Sequence, residues 1–348
     1  MMVVLGCDTH KRTHTIVACD PAAAEVGSIT VAATTAGHLR AVRWAESWDE
    51  RRWAIEDCRH LSRRFEADLL TVGEMVVRVP PKMMASQRRA NRTRGKSDPI
   101  DARAVARAAL SEPDLPIAQL DPESREVRLL ADYRERLIRE RTRLQNSLRW
   151  RLHELDPTFD PPPGSLDRYK TLASVRRFLD QFDGVVAELA VREVNRIEAI
   201  TREANQLESD IAVLVERISP SLLDLSGCAG LSAAKLIGET ADITRFKNND
   251  AFAAWNGTAP IPVWSSNRER YRLNRGGNRQ VNAALYRIAI TQIHHNPNAQ
   301  AFIQRRLDAG DTKKGALRAL KRRLSDVVYR TMLTDATNRA TTTTQQAA

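Results

Sequence analysis

The first eighty residues alternate in a way that predicts strands. "VVLGCD", "TIVACD" and "GSITVAA" are short apolar runs, and only the polar turn "THKRTH" stands between the first two. Strands this close together form an antiparallel meander. A helical stretch around residues 35–50 follows, then the short strand "RRWAIED", the helix "LSRRFEADLLTVG" stopped by Gly73, and the strand "EMVVRVP" cut by Pro80 and Pro81. Strands passing into alternating helices and strands predict a mixed α/β sheet of about 110 residues.

The period then changes. From Glu123 to Leu155 apolar residues recur at helical spacing, with Leu130, Leu137, Leu144, Leu148, Leu152 and Leu155 on one stripe, until "DPTFDPPPGS" breaks the pattern. A second long helix carries Val194, Ile197, Ile200, Ala204, Leu207, Ile211, Leu214 and Ile218 at the spacings of a coiled-coil seam. Two such helices make either an antiparallel hairpin or a dimer arm. After Pro220, Leu225, Gly227, Gly230, Ala233 and Ile237 suit a helix-hairpin-helix unit, and a plain helical hairpin equally well. "KKGALRALKRRLSDVVYRTML" predicts a basic amphipathic helix, and "TNRATTTTQQAA" a disordered tail. The expected divisions are 1–115, 120–220, 221–311, 312–336 and 337–348.

Composition narrows the class of partner. A formal charge of +11 and a pI near 9.9 call for an acidic partner, nucleic acid ahead of an anionic membrane. The four cysteines form neither a CxxC pair nor a Cys/His zinc spacing, so they read as small core residues in a reducing cytoplasm. No cleavable leader and no apolar run approaching ~18 residues is present, which predicts a soluble, cytoplasmic protein with no membrane partner.

The charge is also placed. Between Arg78 and Lys96 stand Arg78, Lys82, Arg88, Arg89, Arg92, Arg94 and Lys96 with no acid among them, and directly after come Asp98 and Asp101. Three apart at a helix start, these two acids share a face. Asp8 and Glu56 each end a predicted strand, where α/β sheets put catalytic groups. Four such carboxylates suit Mg²⁺ or Mn²⁺ acting on a phosphodiester, with the basic tract as its phosphate channel. The same segment is also a sound helix start, with Asp98 as N-cap, Pro99 at N1 and Asp101 at N3. Further on, Ser265 and Ser266 lie among Arg268, Arg270, Arg272, Arg275 and Arg279. A hydroxyl among guanidiniums can attack a phosphate, and adjacent serines in a turn can equally well bond to backbone.

"GCDTHKRTH", "WAIEDCRH", "VRVPPK", "RTRGKSDPIDARAVARAAL", "LSGCAGLSAAKLIGETADITRFKN" and "NGTAPIPVWSSNRERYRLNRGGNRQVNAALYRIA" occur in that order, and together they resemble the IS110-type transposases of bacterial insertion sequences. The resemblance spans nearly the whole chain. It implies an N-terminal domain of the RuvC-like, ribonuclease H fold with a DEDD tetrad, a helical coiled-coil middle, and a mainly α C-terminal transposase domain with an essential serine. Carried over by position, the tetrad falls on Asp8, Glu56, Asp98 and Asp101, with Asp57 as the rival of Glu56. The nucleophile falls on Ser265, with Ser266 as the alternative, and Asn267 departs from the glycine usual in the family. The implied activity is recombination of double-stranded DNA through a serine-linked intermediate. The implied partners are a structured noncoding guide RNA and further copies of the chain, as dimer or tetramer. Two other readings stand beside it: a resolvase-like structure-selective nuclease that uses the tetrad without the serine, and an inactive nucleic-acid-binding remnant.

Overall fold

A computed structural model describes residues 2–56, 59–80, 83–84, 87, 97–112, 115, 117–265, 268–272, 274 and 277–347. The chain divides into two compact units, residues 1–120 with 245–247, and residues 121–244 with 248–348. No helix among the described residues is long and apolar enough to cross a membrane.

The first unit is built on β1 (Val3–Thr9), β2 (Thr13–Cys19), β3 (Glu25–Ala32), β4 (Arg51–Glu56) and β5 (Val76–Val79). Their order in the sheet is β3-β2-β1-β4-β5. The first three strands run antiparallel, as their short turns require, and β4 and β5 join parallel to β1 through the crossover helices α1 (Thr35–Ala45) and α2 (Arg59–Thr71). This order and polarity are those of the ribonuclease H-like fold. Central β1 is buried at every position, while edge strand β3 is mostly open to solvent.

Alternation along the strands splits the core into two layers. Leu5, Ile16, Trp53 and Ile55 face one way and pack with Phe65 and Leu69 of α2. Val4, Val17, Ala54, Val77 and Val79 face the other way and meet α3 (Asp98–Ser111) through Ala102, Val105, Ala106 and Ala109. That helix lies directly on β1 at Gly6. A Cβ there would stand 2.2 Å from the Ala102 carbonyl oxygen and 2.5 Å from the Ala106 nitrogen. Glycine on the strand and alanine on the helix therefore set how closely α3 approaches the sheet.

The second unit is mostly helical. It contains α4 (Pro122–Leu155), α5 (Tyr169–Leu179), α6 (Val185–Ile218), α7 (Gly230–Thr240), α8 (Asn249–Asn256), the hairpin β6 (Ile261–Ser265) and β7 (Arg268–Arg272), then α9 (Arg279–His295), α10 (Pro297–Asp308) and α11 (Lys313–Ala347). Asp121 caps α4 by accepting from the Ser124 N–H at 2.9 Å. α4 and α6 form the antiparallel hairpin. Tyr133 bonds Glu203, Arg196 bonds Glu140 and Ser147 bonds Glu193, so the residue numbers fall on one helix as they rise on the other. Of the seam expected on α6, every residue but Leu207 is buried.

Two expectations change here. A single 3₁₀ turn, Pro220–Leu222, stands where the first helix of the hairpin unit was expected, because Ser219 and Ser221 both donate to the carboxylate of Asp335, which is buried. The segment 337–348 was expected to be disordered, yet α11 continues to Ala347. Thr337 and Thr341 bond back to carbonyls one turn earlier, and Arg339 pairs with Glu123 at 2.9 Å. Cys7, Cys19 and Cys228 are free and buried, and Cys58 lies outside the described residues.

Candidate active site

β1 puts Asp8 on the α3 side of the sheet, two residues beyond Gly6 and four beyond Val4. The parallel register continues past the Cys7–Ile55 pair to place Asp8 and Glu56 on neighbouring strands, and Glu56 shares its alternation with Ala54 on that same side. α3 then brings its acids over β1. Asp8 and Asp101 are buried, whereas Glu56 is half-buried and Asp98 exposed.

The N-cap of α3 is Ser97, whose side chain makes no capping bond, and Asp98 is the first helical residue. This corrects the expectation that Asp98 is itself the cap. Its carboxylate instead faces His10, at 3.4 Å, and His10 Nε2 lies 3.1 Å from Asp8 Oδ2. Donor atoms of Asp8, His10 and Asp98 all lie within 4.8 Å of one another. Glu56 and Asp101 are not in that set. Burial pushes the Asp8 carboxyl above the usual carboxylate range, His10 pulls it down, and Asp101 and then Asp98 push it up again. Asp8 thus senses both acids of α3 as like charges held close. A divalent cation with oxygen ligands would relieve this crowding, so the donor set fits Mg²⁺ or Mn²⁺.

His10 was missed in the sequence. The signal was there: it lies two residues after Asp8, so it continues the alternation of β1 beyond the strand end.

The opposite side of the sheet carries a second cluster of ionisable groups. His38 Nδ1 donates to Asp68 Oδ2 at 2.5 Å, and the Nε2 atoms of His14 and His38 are 3.2 Å apart. With both rings neutral, His14 donates to His38 and every proton in the chain has an acceptor. Phe65 stacks on His14 at 4.9 Å. Burial, and then the charge of His38, bring the His14 imidazole down to about 4.

Ser265 ends β6 and pairs with Arg268 across the hairpin. Its side chain, like Ser266 and Asn267, lies outside what is described. Arg268 and Arg270 are placed only by their backbone on β7. Arg272 and Arg279 are exposed, at the end of β7 and the start of α9. Lys82, Arg88, Arg89, Arg92, Arg94, Lys96, Arg275 and Asp57 lie outside the described residues. Arg78, the first cation of the basic tract, is held by Glu66 through two bonds of 2.6 Å.

Residues 5–157 match the family model of the IS110-type DEDD transposases, described as Transposase, and residues 219–304 match the one described as Transposase IS116/IS110/IS902 family. Similar curated proteins include the insertion element IS116 uncharacterized 44.8 kDa protein of Streptomyces clavuligerus, 26% identical over 371 aligned positions that cover 93% of each chain. The insertion element IS110 uncharacterized 43.6 kDa protein of Streptomyces coelicolor is 30% identical over 158, covering 44% of this chain and 38% of that one. Among solved structures, T. thermophilus RuvC in complex with Holliday junction substrate is 13% identical, with a TM-score of 0.28 over 34% of this chain and 100% of that chain.

Proposed function

Because this chain belongs to the IS110 family of insertion-sequence transposases, we propose that it is a metal-dependent DNA recombinase that works through a covalent serine intermediate. Asp8, Glu56, Asp98 and Asp101 are the proposed ligands of Mg²⁺ or Mn²⁺, and Ser265 the proposed nucleophile. The observation that carries the metal assignment is the crowding of acids at Asp8, which α3 enforces by lying on Gly6. When bound, the cation supplies Lewis-acid stabilisation of charge on a phosphodiester. The protein's own groups do the rest. The carboxylates offer oxygen ligands, and His10 stands beside both Asp8 and Asp98 and draws the burial-raised Asp8 carboxyl back down.

At the hairpin, the Ser265 hydroxyl attacks a DNA phosphorus and expels a deoxyribose hydroxyl. This leaves the strand esterified to the serine. Attack by a deoxyribose hydroxyl of the exchanging strand reverses that step and frees the serine, so no phosphodiester energy is lost. Arg268, Arg270, Arg272, Arg275 and Arg279 balance the phosphate charge, and the tract from Lys82 to Lys96 guides the DNA backbone. In the same reading, residues 1–115 form the carboxylate domain, 120–220 the helical spacer, 221–311 the transposase domain and 312–336 the basic helix. A structured RNA selects the target by base pairing, and two or four copies of the chain act together.

The test is a covalent adduct. Protein, labelled DNA ends and the element's RNA should give a protein–DNA species that survives denaturing electrophoresis. Ser265→Ala removes it and Ser266→Ala leaves it. Chelation of the metal, or Asp98→Asn, should lower its yield by at least about a hundredfold. Loss of the adduct in Ser266→Ala alone would move the nucleophile by one residue, and cleavage with no adduct would favour the resolvase-like nuclease.

A further inference from the structure

The second unit contains a cleft of about 610 Å³ that the carboxylate site does not use. Its walls are the loop Gly257–Pro260 after α8, Arg272 at the end of β7, Phe302 and Arg306 of α10, and the first turns of α11. The charge on these walls is lopsided. Two cations are neutralised within the protein: Arg306 by Asp311 at 2.5 Å, and Arg322 by Asp250 at 2.5 Å and by Asp326. Arg318, Lys321 and Arg323, within about one and a half turns of α11, have no carboxylate partner among the described residues. Lys321 is half-buried, yet its ammonium donates to a neutral acceptor, Asn282 Oδ1, at 2.6 Å. Burial and then the nearby Arg318 lower its proton affinity, as expected of a charge without a counter-ion.

A second observation points the same way. The cleft opens at the N-terminus of α11, where Thr312 accepts from the Gly315 N–H at 3.0 Å and Gly315 lines the wall. Helix N-termini carry partial positive charge and normally attract acids. α11 has no acid in its first turn and begins with Lys313 and Lys314. The acid just before the cap, Asp311, is engaged by Arg306, so the first turn of α11 still presents its partial positive charge beside Arg318 and Lys321. A bound anion relieves both that dipole and the repulsion between Arg318 and Lys321.

We propose that this cleft binds the phosphodiester backbone of a nucleic-acid strand, with Arg318, Lys321 and Arg323 as the contacting cations and the N-terminus of α11 as the dipole that receives a phosphate. The distance from Arg318 to Arg323 is about 7.5 Å along the helix axis, comparable with the step between neighbouring phosphates on one strand. The run therefore serves two successive phosphates. Arg323 is held over the Phe302 ring at 4.9 Å, so its guanidinium is positioned before a ligand arrives. The recombinase reading is used only to name nucleic acid as the source of the phosphate.

The test uses the full chain and fluorescence anisotropy with labelled duplex DNA, single-stranded DNA and RNA of one length. The cleft variant is Arg318→Gln, Lys321→Gln and Arg323→Gln. Its control removes the same charge from exposed positions elsewhere in the second unit: Arg143→Gln, Arg177→Gln and Arg192→Gln. The cleft variant should lose about 10- to 100-fold in affinity, and its slope of log K against log salt should fall by about 3 on duplex and about 2 on single strands. The control should lose less than about threefold. Loss with DNA alone or with RNA alone identifies which backbone occupies the cleft. Equal losses in cleft variant and control, or an unchanged salt slope, would overturn the proposal. Should the triple variant fold poorly, the pair Arg318→Gln and Arg323→Gln, both exposed, gives the same comparison with a slope change of about 2. Adduct formation at saturating protein is scored separately, so failure of the Ser265 assignment leaves the binding result intact.

Discussion

The two sides of the first unit's sheet each hold a set of ionisable groups with a buried centre, and the sets are built on opposite rules. On the α1/α2 side, Asp68, His38 and His14 form a line in which each hydrogen has an acceptor, Phe65 covers the end, and His14 Nδ1 is buried without a partner. On the α3 side, Asp8 meets Asp101 and Asp98, charges of its own sign, and the exposed imidazole of His10 stands beside Asp8 and Asp98. A set whose hydrogens all find acceptors is closed on the donor side and holds the fold together. A set whose like charges are forced into proximity by the backbone has something left to bind. Ionisable residues therefore mark a site less by number or depth than by the sign of the charges held together.

The sharpest way to break this contrast is Asp8→Asn. It keeps size and hydrogen-bonding shape but removes a charge the fold resists, so DNA cleavage should fall by at least about a thousandfold while thermal stability at neutral pH rises or holds. The pH profile gives the same test without activity. The folded-state affinity of Asp8 for its proton is raised, so in metal-free buffer the wild type loses stability as pH rises from the ordinary carboxylate range through the raised value. Asp8→Asn should lack that decline, and chemical denaturation across the window measures it. A variant less stable than wild type at every pH would mean that Asp8 serves the fold, like its counterparts across the sheet.

Next in size is Gly6→Val, which leaves every ionisable group in place. Its Cβ would meet the Ala102 carbonyl at 2.2 Å, so α3 must move off the strand. We expect a loss of about 3 kcal/mol, seen in urea melts, together with loss of the Mn²⁺-induced rise in melting temperature. Retention of that rise would show that the acids do not depend on the closeness of helix and strand.

His14 tests the closed set. Its folded-state proton affinity is lowered to about 4 from an ordinary 6.5, so the stability it protects is complete above 6.5 and disappears as pH falls towards 4. The loss should be on the order of 3 kcal/mol. His14→Phe, which stacks on Phe65 and cannot be protonated, should flatten the curve in that window and leave cleavage at neutral pH unchanged. A fall in cleavage would give this side of the sheet a part in the chemistry.

Much of this was legible in the sequence because the strands are short apolar runs bounded by polar turns. "VVLGCD" and "RRWAIED" end with their acids where β1 and β4 end, and the spacing of Asp98 and Asp101 already implied a shared helix face. What resisted reading came from contacts between distant residues. Gly6 carries no pattern of its own, and its meaning appears only when Ala102 lies against it. His10 was absorbed into a polar turn, although it keeps the parity of Asp8. His14, His38 and Asp68 come from two strands' worth of separation and a second helix, which no spacing rule connects. α11 read only as a basic amphipathic helix. The conflict between Lys313 and Lys314 and the helix dipole becomes visible only once the helix start is known.

The antiparallel pair of α4 and α6 has a consequence for measurement. Tyr133 with Glu203, Glu140 with Arg196 and Ser147 with Glu193 are rungs whose residue numbers sum to nearly the same value, so the two helices are graduated against each other. A deletion in one helix alone would slide every rung beyond it out of line and rotate its seam by about 100° per residue. Matched deletions of seven in both would shorten the pair by about 10.5 Å and keep the seam facing inward. The pair is thus a ruler whose length changes only in steps, and any distance the protein must span along it is set to that scale.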